Sequence, residues 1–177
     1  MKKEMDYVVL VDELDNEIGF MEKMAAHEKG VLHRAFSVFT FNSKGELILQ
    51  RRALNKYHSG GLWTNTCCSH PRKAETTIEA AHRRLQEEMG FDCPLTKAFD
   101  FIYKKELDNG LTEHELDHVF IGVFDGDVHF NKEEVHEIKY IELNALLKDV
   151  AANDDAYTEW FKICLKETLK HRDRLVL

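Results

Sequence analysis

Residues 64–71 read TNTCCSHP, which sets two adjacent thiols just ahead of a histidine and a proline. Thiols beside an imidazole can form a redox pair, ligate a metal, or exchange a proton with a substrate. In an extended segment side chains alternate between faces, so Cys68 and His70 share one face while Cys67 and Ser69 share the other. The two thiols then cannot do the same job. A disulfide between them would strain the backbone, because extended neighbours with opposed side chains do not offer the required geometry. The plainer alternative is that both are small buried apolar residues, as most free cysteines are.

Other residues could join them. His27 and His33 flank a loop upstream, and TEHELDH holds Glu113 and Glu115 at strand spacing, which aims both carboxylates at one face and His114 at the other. Imidazoles with carboxylates suit zinc, manganese or iron. The same acids would equally make a solvated strand end, and the histidines ordinary surface residues; spacing does not separate the two readings. Arg51, Arg52 and Lys56 on one side of the thiols, with Arg72 and Lys73 on the other, could bind a small anion.

Several elements must position these groups. YVVLVDELDNEIGF reads as two short strands around Asp15-Asn16, and MEKMAAHEKGVLH as a helical turn and loop broken by Gly30. AFSVFTFNSKGELILQRR predicts an antiparallel hairpin around Asn42 to Gly45. LNKYHSGG is a loop, and LWTNTCCS is strand-like up to Pro71. From Glu75 to Met89, Ile78, Ala81, His82, Leu85 and Met89 recur at helical spacing before the stop at Gly90. KAFDFIYKKEL and HELDHVFIGVF are two more strands around Asp108-Asn109-Gly110, and EVHEIKYIEL is another. A short helix at LNALLKDV precedes a longer one from Asp154 to Arg172, with acids at its start and His171 and Arg172 at its end. Mostly strands, with one central helix and a helical C-terminus, make an α+β sandwich rather than a doubly wound sheet.

Composition narrows the partners. The chain of 177 residues suits one domain over 1–177, and 44% hydrophobic with 32% charged residues suits a packed fold. MKKEMDY lacks an apolar core behind its lysines, and no stretch approaches the roughly 18 apolar residues of a membrane span, so the expected location is cytoplasmic, with no membrane partner. Four scattered cysteines without a CxxC pair are expected to be reduced thiols. A net charge of −8 and the lack of a basic stripe interleaved with aromatics argue against nucleic acid. No glycine-rich dinucleotide fingerprint follows any strand, so neither nicotinamide nor flavin is expected.

RRLQEEMGF resembles the end of the Nudix box, a loop and helix that hold magnesium and a diphosphate. Glu75, Arg83, Leu85, Glu87, Glu88, Gly90 and Phe91 fall in its expected places. Ser69 stands where the box has its first glycine, and Arg84 where it has a metal-binding glutamate; a cation there should weaken metal-assisted hydrolysis. MEKMAAH, LHRAFSVF, QRRALNK, TNTCCSHP and EHELDHVF, in that order along the chain, resemble the type I isopentenyl diphosphate isomerases, which have the Nudix-type mixed sheet with flanking helices. The departures at Ser69 and Arg84 fit a family that binds a diphosphate and leaves it intact.

The resemblance implies a 1,3-proton shift between isopentenyl and dimethylallyl diphosphate, acting on a small C5 diphosphate as a monomer or weak homodimer. It selects Cys68 as the catalytic thiol and Cys67 as a spectator. It gives His27, His33, His70, Glu113 and Glu115 to one zinc or manganese ion. It also implies magnesium between Glu88 and the diphosphate, with Lys23, Arg52, Lys56 and Arg84 as cationic contacts. Glu115, helped by Tyr103, would work on one substrate face and Cys68 on the other. Trp160 would stabilise a tertiary carbocation, worth about 2 kcal/mol or more in a dry site. The competing reading is a Nudix pyrophosphatase acting on a nucleoside diphosphate derivative, and a more distant one is a zinc-binding interaction module.

Overall fold

The computed structural model describes residues 6–175. Strand β1 (Tyr7–Val11) turns into β2 (Glu17–Glu22) through a loop in which Asp12 Oδ1 accepts the backbone N–H groups of Leu14 and Asn16, each at 2.9 Å. Glu22 then caps α1 (Lys23–Lys29), accepting from Met24 N and Ala25 N at 3.1 and 2.9 Å. The segment expected as a helical turn and loop is therefore a short capped helix. It buries Ala26 and His27.

The hub is β3 (His33–Phe41), buried along its length except at Arg34. It runs parallel to β8 (Thr112–Val123) over the whole span from His33↔Glu115 to Phe41↔Val123. β8 in turn pairs antiparallel with β7 (Leu95–Glu106), which places Tyr103 opposite Glu115. Residues 108–110 make the turn between them, as the sequence predicts.

The two antiparallel strands expected around the Asn42 to Gly45 turn are present, with Asn42 N donating to Glu46 O at 2.9 Å, but their pairing is short. β4 (Leu47–Arg52) meets β3 only at Phe41↔Leu47, then leaves to pair with β9 (Val135–Ile141) and with β5 (Trp63–Thr64). The turn signal sets where the chain reverses, but β8 and β6 (Cys67–Ser69) have taken the edges of β3. The LWTNTCCS stretch closes the resulting corner. Asn65 Nδ2 donates to the carbonyls of Val38 and Cys67 (3.2 and 2.6 Å), and Thr66 Oγ1 donates to Ile48 O (2.6 Å) while accepting from Thr40 N (2.8 Å). Two polar side chains thus pin the splayed strands to each other, with β5 on one and β6 on the other.

Helix α2 (Thr77–Met89) starts at a capping box between Thr76 and Glu79 and ends at Gly90, φ +73°. It buries Ala80, Ala81, Leu85 and Met89 against Phe36, Val38, Ile48, Cys67 and Phe120. His82, expected on this stripe, instead reaches Asp92 Oδ1 at 2.6 Å near the surface. On the other side of the sheet, Phe39, Phe41, Leu47, Leu49, Val119 and Ile121 pack against Leu146 of α3 (Leu143–Ala152) and against Trp160, Phe161, Cys164 and Leu165 of α4 (Glu159–Leu175). Asp154 and Asp155 precede α4 in a separate 3-10 turn, so Glu159, not those aspartates, supplies its N-terminal negative charge. No helix among the described residues is long and apolar enough to cross a membrane.

Gly90 gives a direct stability test. A Cβ there would sit 2.2 Å from the carbonyl oxygen of His129, on top of the left-handed backbone. Gly90→Ala is expected to lower the unfolding free energy by about 2–4 kcal/mol, seen as a lower urea midpoint at unchanged slope.

Candidate active site

Glu113, Glu115 and Asp117 alternate along β8 onto one face, and all three are buried. The reading of these acids as a solvated strand end is thereby removed. Glu115 lies in register with His33 on one side and Tyr103 on the other. Tyr103 donates its hydroxyl to Glu115 Oε2 at 2.6 Å, while His70 Nε2 lies 2.8 Å and His33 Nε2 3.5 Å from Oε1. Burial opposes a charge on Glu115, yet His33 and His70 outweigh it and hold the carboxyl well below its ordinary range. Burial and the same carboxylate push the Tyr103 hydroxyl well above its usual value, so it stays a donor.

His27 Nδ1 donates to Lys23 O (2.7 Å) and His33 Nδ1 to Val31 O (2.8 Å). Because carbonyls only accept, both Nδ1 atoms carry the hydrogen, and in the neutral rings, the form that ligates a metal, each Nε2 presents a lone pair inward. His27 Nε2, His33 Nε2 and Glu113 Oε2 are all buried without a hydrogen-bond partner, and His27 Nε2 is 3.4 Å from Glu113 Oε2. Ligand atoms of His27, His33, His70 and Glu115 lie within 4.8 Å of one another. Converging, orphaned nitrogen and oxygen donors fit a divalent metal. His114, on the opposite face, donates to Gly30 O at 2.9 Å and stays out of the cluster.

The cavity beside this cluster has a volume of about 60 Å³ and opens to solvent. Its walls include Cys68, Glu115, Trp160 and the cations Lys23, Arg52, Lys56 and Arg84. The alternation along β6 holds: Cys68 faces the cavity, while Cys67 is fully buried against α2. Arg52 directs a guanidinium N–H at Cys68 Sγ from 4.0 Å, and its Cζ lies 5.3 Å from the ring centroid of Trp160. Burial pushes the Cys68 thiol up to about 12 despite this guanidinium, so the sulfur carries its proton at neutral pH. Tyr103 does not line the cavity and reaches it only through Glu115.

Glu88, on α2, accepts from Arg84 Nη2 (2.5 Å) through Oε1 and from Gln50 Nε2 (2.9 Å) through Oε2. Each oxygen keeps a second lone pair, so the carboxylate can still hold a cation at the cavity wall. Behind it, Arg83 grips Glu75 with Nε and Nη2 at 2.6 and 2.8 Å, tying the helix to its leading loop.

The NUDIX domain model matches residues 31–161. The chain is 53% identical to isopentenyl-diphosphate Delta-isomerase 2 of Aromatoleum aromaticum, over 94% of this chain and 88% of that protein. It is 55% identical to isopentenyl-diphosphate Delta-isomerase 2 of Photorhabdus laumondii, over 89% of each. The chain belongs to the isopentenyl-diphosphate Delta-isomerase family, within the Nudix fold. Among solved structures, a Deinococcus radiodurans protein superposes with a TM-score of 0.75 at 20% identity, covering 91% of this chain and 98% of that one. A MutT protein from Methanosarcina mazei superposes at 0.62 with 19% identity over 81% and 94%. At that identity the likeness is one of fold.

The fold also brings to the site residues that the sequence did not single out. His58 reaches Glu113 Oε1 at 3.0 Å, Gln50 holds Glu88, and Glu134 contacts both Lys56 and Arg84. Ser37 donates to the buried Asp117 Oδ2 at 2.7 Å. Only Asp117 had a sequence signal, as the next strand-spaced acid after Glu115.

The thiols give a test of this geometry. Alkylation of Cys68 by iodoacetamide should climb about tenfold per pH unit well past the value near 8.5 at which an ordinary thiol levels off. Peptide mass spectrometry should find Cys67 unlabelled in the folded protein; a plateau near pH 9 at Cys68 would contradict the burial argument.

Proposed function

We infer that the protein interconverts isopentenyl diphosphate and dimethylallyl diphosphate by a 1,3-allylic proton shift through a carbocation-like intermediate, as an isomerase of isoprenoid biosynthesis. One observation carries the residue-level reading: a single cavity is lined at once by Cys68, Glu115 and four cations. A proton adds to the terminal alkene carbon and leaves positive charge on the tertiary carbon. A proton then leaves the adjacent methylene, and its C–H electron pair becomes the new double bond. The two proton-exchanging groups are Glu115, with Tyr103 donating to its Oε2, and Cys68. Trp160, buried at the same wall, offers its ring face to the cation. Because water would capture such a cation, the buried walls matter as much as the acid and base.

Lys23, Arg52, Lys56 and Arg84 bind the diphosphate in this reading, and Glu88 accompanies them. His27, His33, His70, Glu113 and Glu115 would hold zinc or manganese, and Glu88 magnesium; when bound, these ions fix the charge of Glu115 and neutralise diphosphate oxygens. The enzyme is taken as a single cytoplasmic domain, monomeric or weakly dimeric, with no nucleic-acid or membrane partner. Hydrolysis of a nucleoside diphosphate derivative is disfavoured because Arg84 occupies the place of an acid and draws on Glu87 and Glu88 itself.

Proton NMR in deuterated buffer with magnesium should show reversible conversion of isopentenyl diphosphate with deuterium incorporation, without nicotinamide or flavin; inert metal-replete protein would refute the reading. Cys68→Ala should cost about 10² to 10⁴ in rate, whereas Cys67→Val should keep most activity and lose less than about 1.5 kcal/mol of stability. An epoxide of the C5 diphosphate should label Cys68 and spare Cys67.

His33→Ala and His70→Ala should lose bound metal and activity together, by elemental analysis and rate, while Arg52→Ala should mainly raise KM. Full metal occupancy in the histidine variants would remove both residues from the ligand set.

A further inference from the structure

We propose that His58 is a positioning residue of the metal centre, holding one oxygen of Glu113 so that the other stays turned toward His27. The proposal rests on the metal reading of the cluster given above and adds a residue from outside its ligand set. His58 Nε2 is 3.0 Å from Glu113 Oε1, and both side chains are almost fully buried. Glu113 Oε2 has no hydrogen-bond partner and lies 3.4 Å from His27 Nε2, which has none either. The carboxylate is therefore divided, with one oxygen occupied by His58 and one open toward the cluster.

The proton inventory agrees with that division. A carboxylate only accepts, so His58 Nε2 carries the hydrogen; Nδ1 is then the acceptor and lies 3.2 Å from the Ser59 hydroxyl, which can donate to it. The chain runs from Ser59 Oγ–H to His58 Nδ1, then from Nε2–H to Glu113 Oε1, leaving Oε2 for an ion. Outer partners of this kind orient ligating groups, and their loss weakens metal binding about 10- to 100-fold.

The loop is built to deliver this imidazole. Arg52 N donates to Leu62 O (2.9 Å) and Gly61 N to Arg52 O (3.1 Å), which closes residues 53–61 into a compact excursion. Within it Ser59 adopts φ +51°, and a Cβ on Gly60 would meet Leu54 O at 2.7 Å, so the backbone there folds in on itself. Arg52 Nη2 donates to His58 O at 3.4 Å, and the imidazole meets Trp160 edge-on at 5.9 Å and 90°. His58 thus joins the metal cluster to the indole wall of the cavity.

The test loads the full-length protein with manganese and challenges it with increasing chelator, reading retained metal by elemental analysis. His58→Ala should release manganese at a chelator concentration about 10- to 100-fold lower than wild type. His58→Gln, whose amide N–H can still donate to Glu113, should stay within about threefold of wild type and keep the cobalt(II) absorption spectrum of the cobalt-loaded protein. Unchanged retention in a folded His58→Ala would overturn the proposal. So would His58→Gln losing metal with an altered cobalt spectrum, because the imidazole would then be a direct ligand. If the alanine variant does not fold, the glutamine variant alone decides between these outcomes. Failure of the wild type to retain any metal would instead refute the underlying reading of the cluster.

Discussion

The row Tyr103, Glu115, His33, set side by side across β7, β8 and β3, is the constraint on which the rest of the site depends. Three strands must be in register for one carboxylate to meet a phenol on one flank and an imidazole on the other. A slip of one residue in β8 would turn Glu113, Glu115 and Asp117 to the opposite face, where Leu116 packs among the apolar Val9, Val11, Phe20 and Leu32. The hydrophobic pattern forbids that slip, because Val119 and Ile121 share the face of the acids and are needed beneath α4. The apolar half of β8 thereby fixes the polar half. Stability and chemistry are set by one register.

Charge is arranged in two camps along the cavity. At the β8 end, carboxylates face imidazoles; at the α2 end, guanidinium and ammonium groups face Glu87, Glu88 and Glu134. Arg84 alone touches three acids, Glu87 at 2.7 Å, Glu88 at 2.5 Å and Glu134 at 3.3 Å, and Lys56 bonds Glu134 as well. Removing an ionised group from water costs several kcal/mol unless it is paired, which explains why Arg84 and Lys56 are held by acids, whereas Arg52 instead donates to His58 O and lies against the Trp160 ring. An incoming diphosphate would compete with Glu134 for Lys56 and Arg84. The acid keeps the cations ordered before any anion arrives.

How much of this could be read from the chain depended on whether a regular element carried the information. Strand alternation alone separated Cys68 from Cys67 and put Glu113 with Glu115, because period-two geometry is local. The α2 stop at Gly90 was legible for the same reason. The pairing of β3 was not: Asn42 to Gly45 announces a reversal, but only the competing edges of β6 and β8 decide that the strands part. His58 and Glu134 escaped notice because both reach the site from irregular loops, where no spacing rule predicts which way a side chain points. Trp160 was plain core by pattern and is both core and wall in three dimensions.

The matched domain begins at residue 31, yet His27 and Lys23 belong to α1, ahead of it. This leading segment meets the sheet through one β1–β3 residue pair, Leu10↔His33, a small cluster of Val9, Val11, Leu116, Phe20 and Leu32, and polar contacts of Asp15 with Arg34 and His118 and of Gly30 O with His114. An ion shared by His27 and by residues of β3 and β8 would add a rivet where α1 itself meets the domain behind it. Stripping that ion would loosen α1 selectively, while the α2 and α4 layers keep their own packing. Limited digestion near Lys29 then becomes a gauge of metal occupancy, with the protease reporting on a site it never enters.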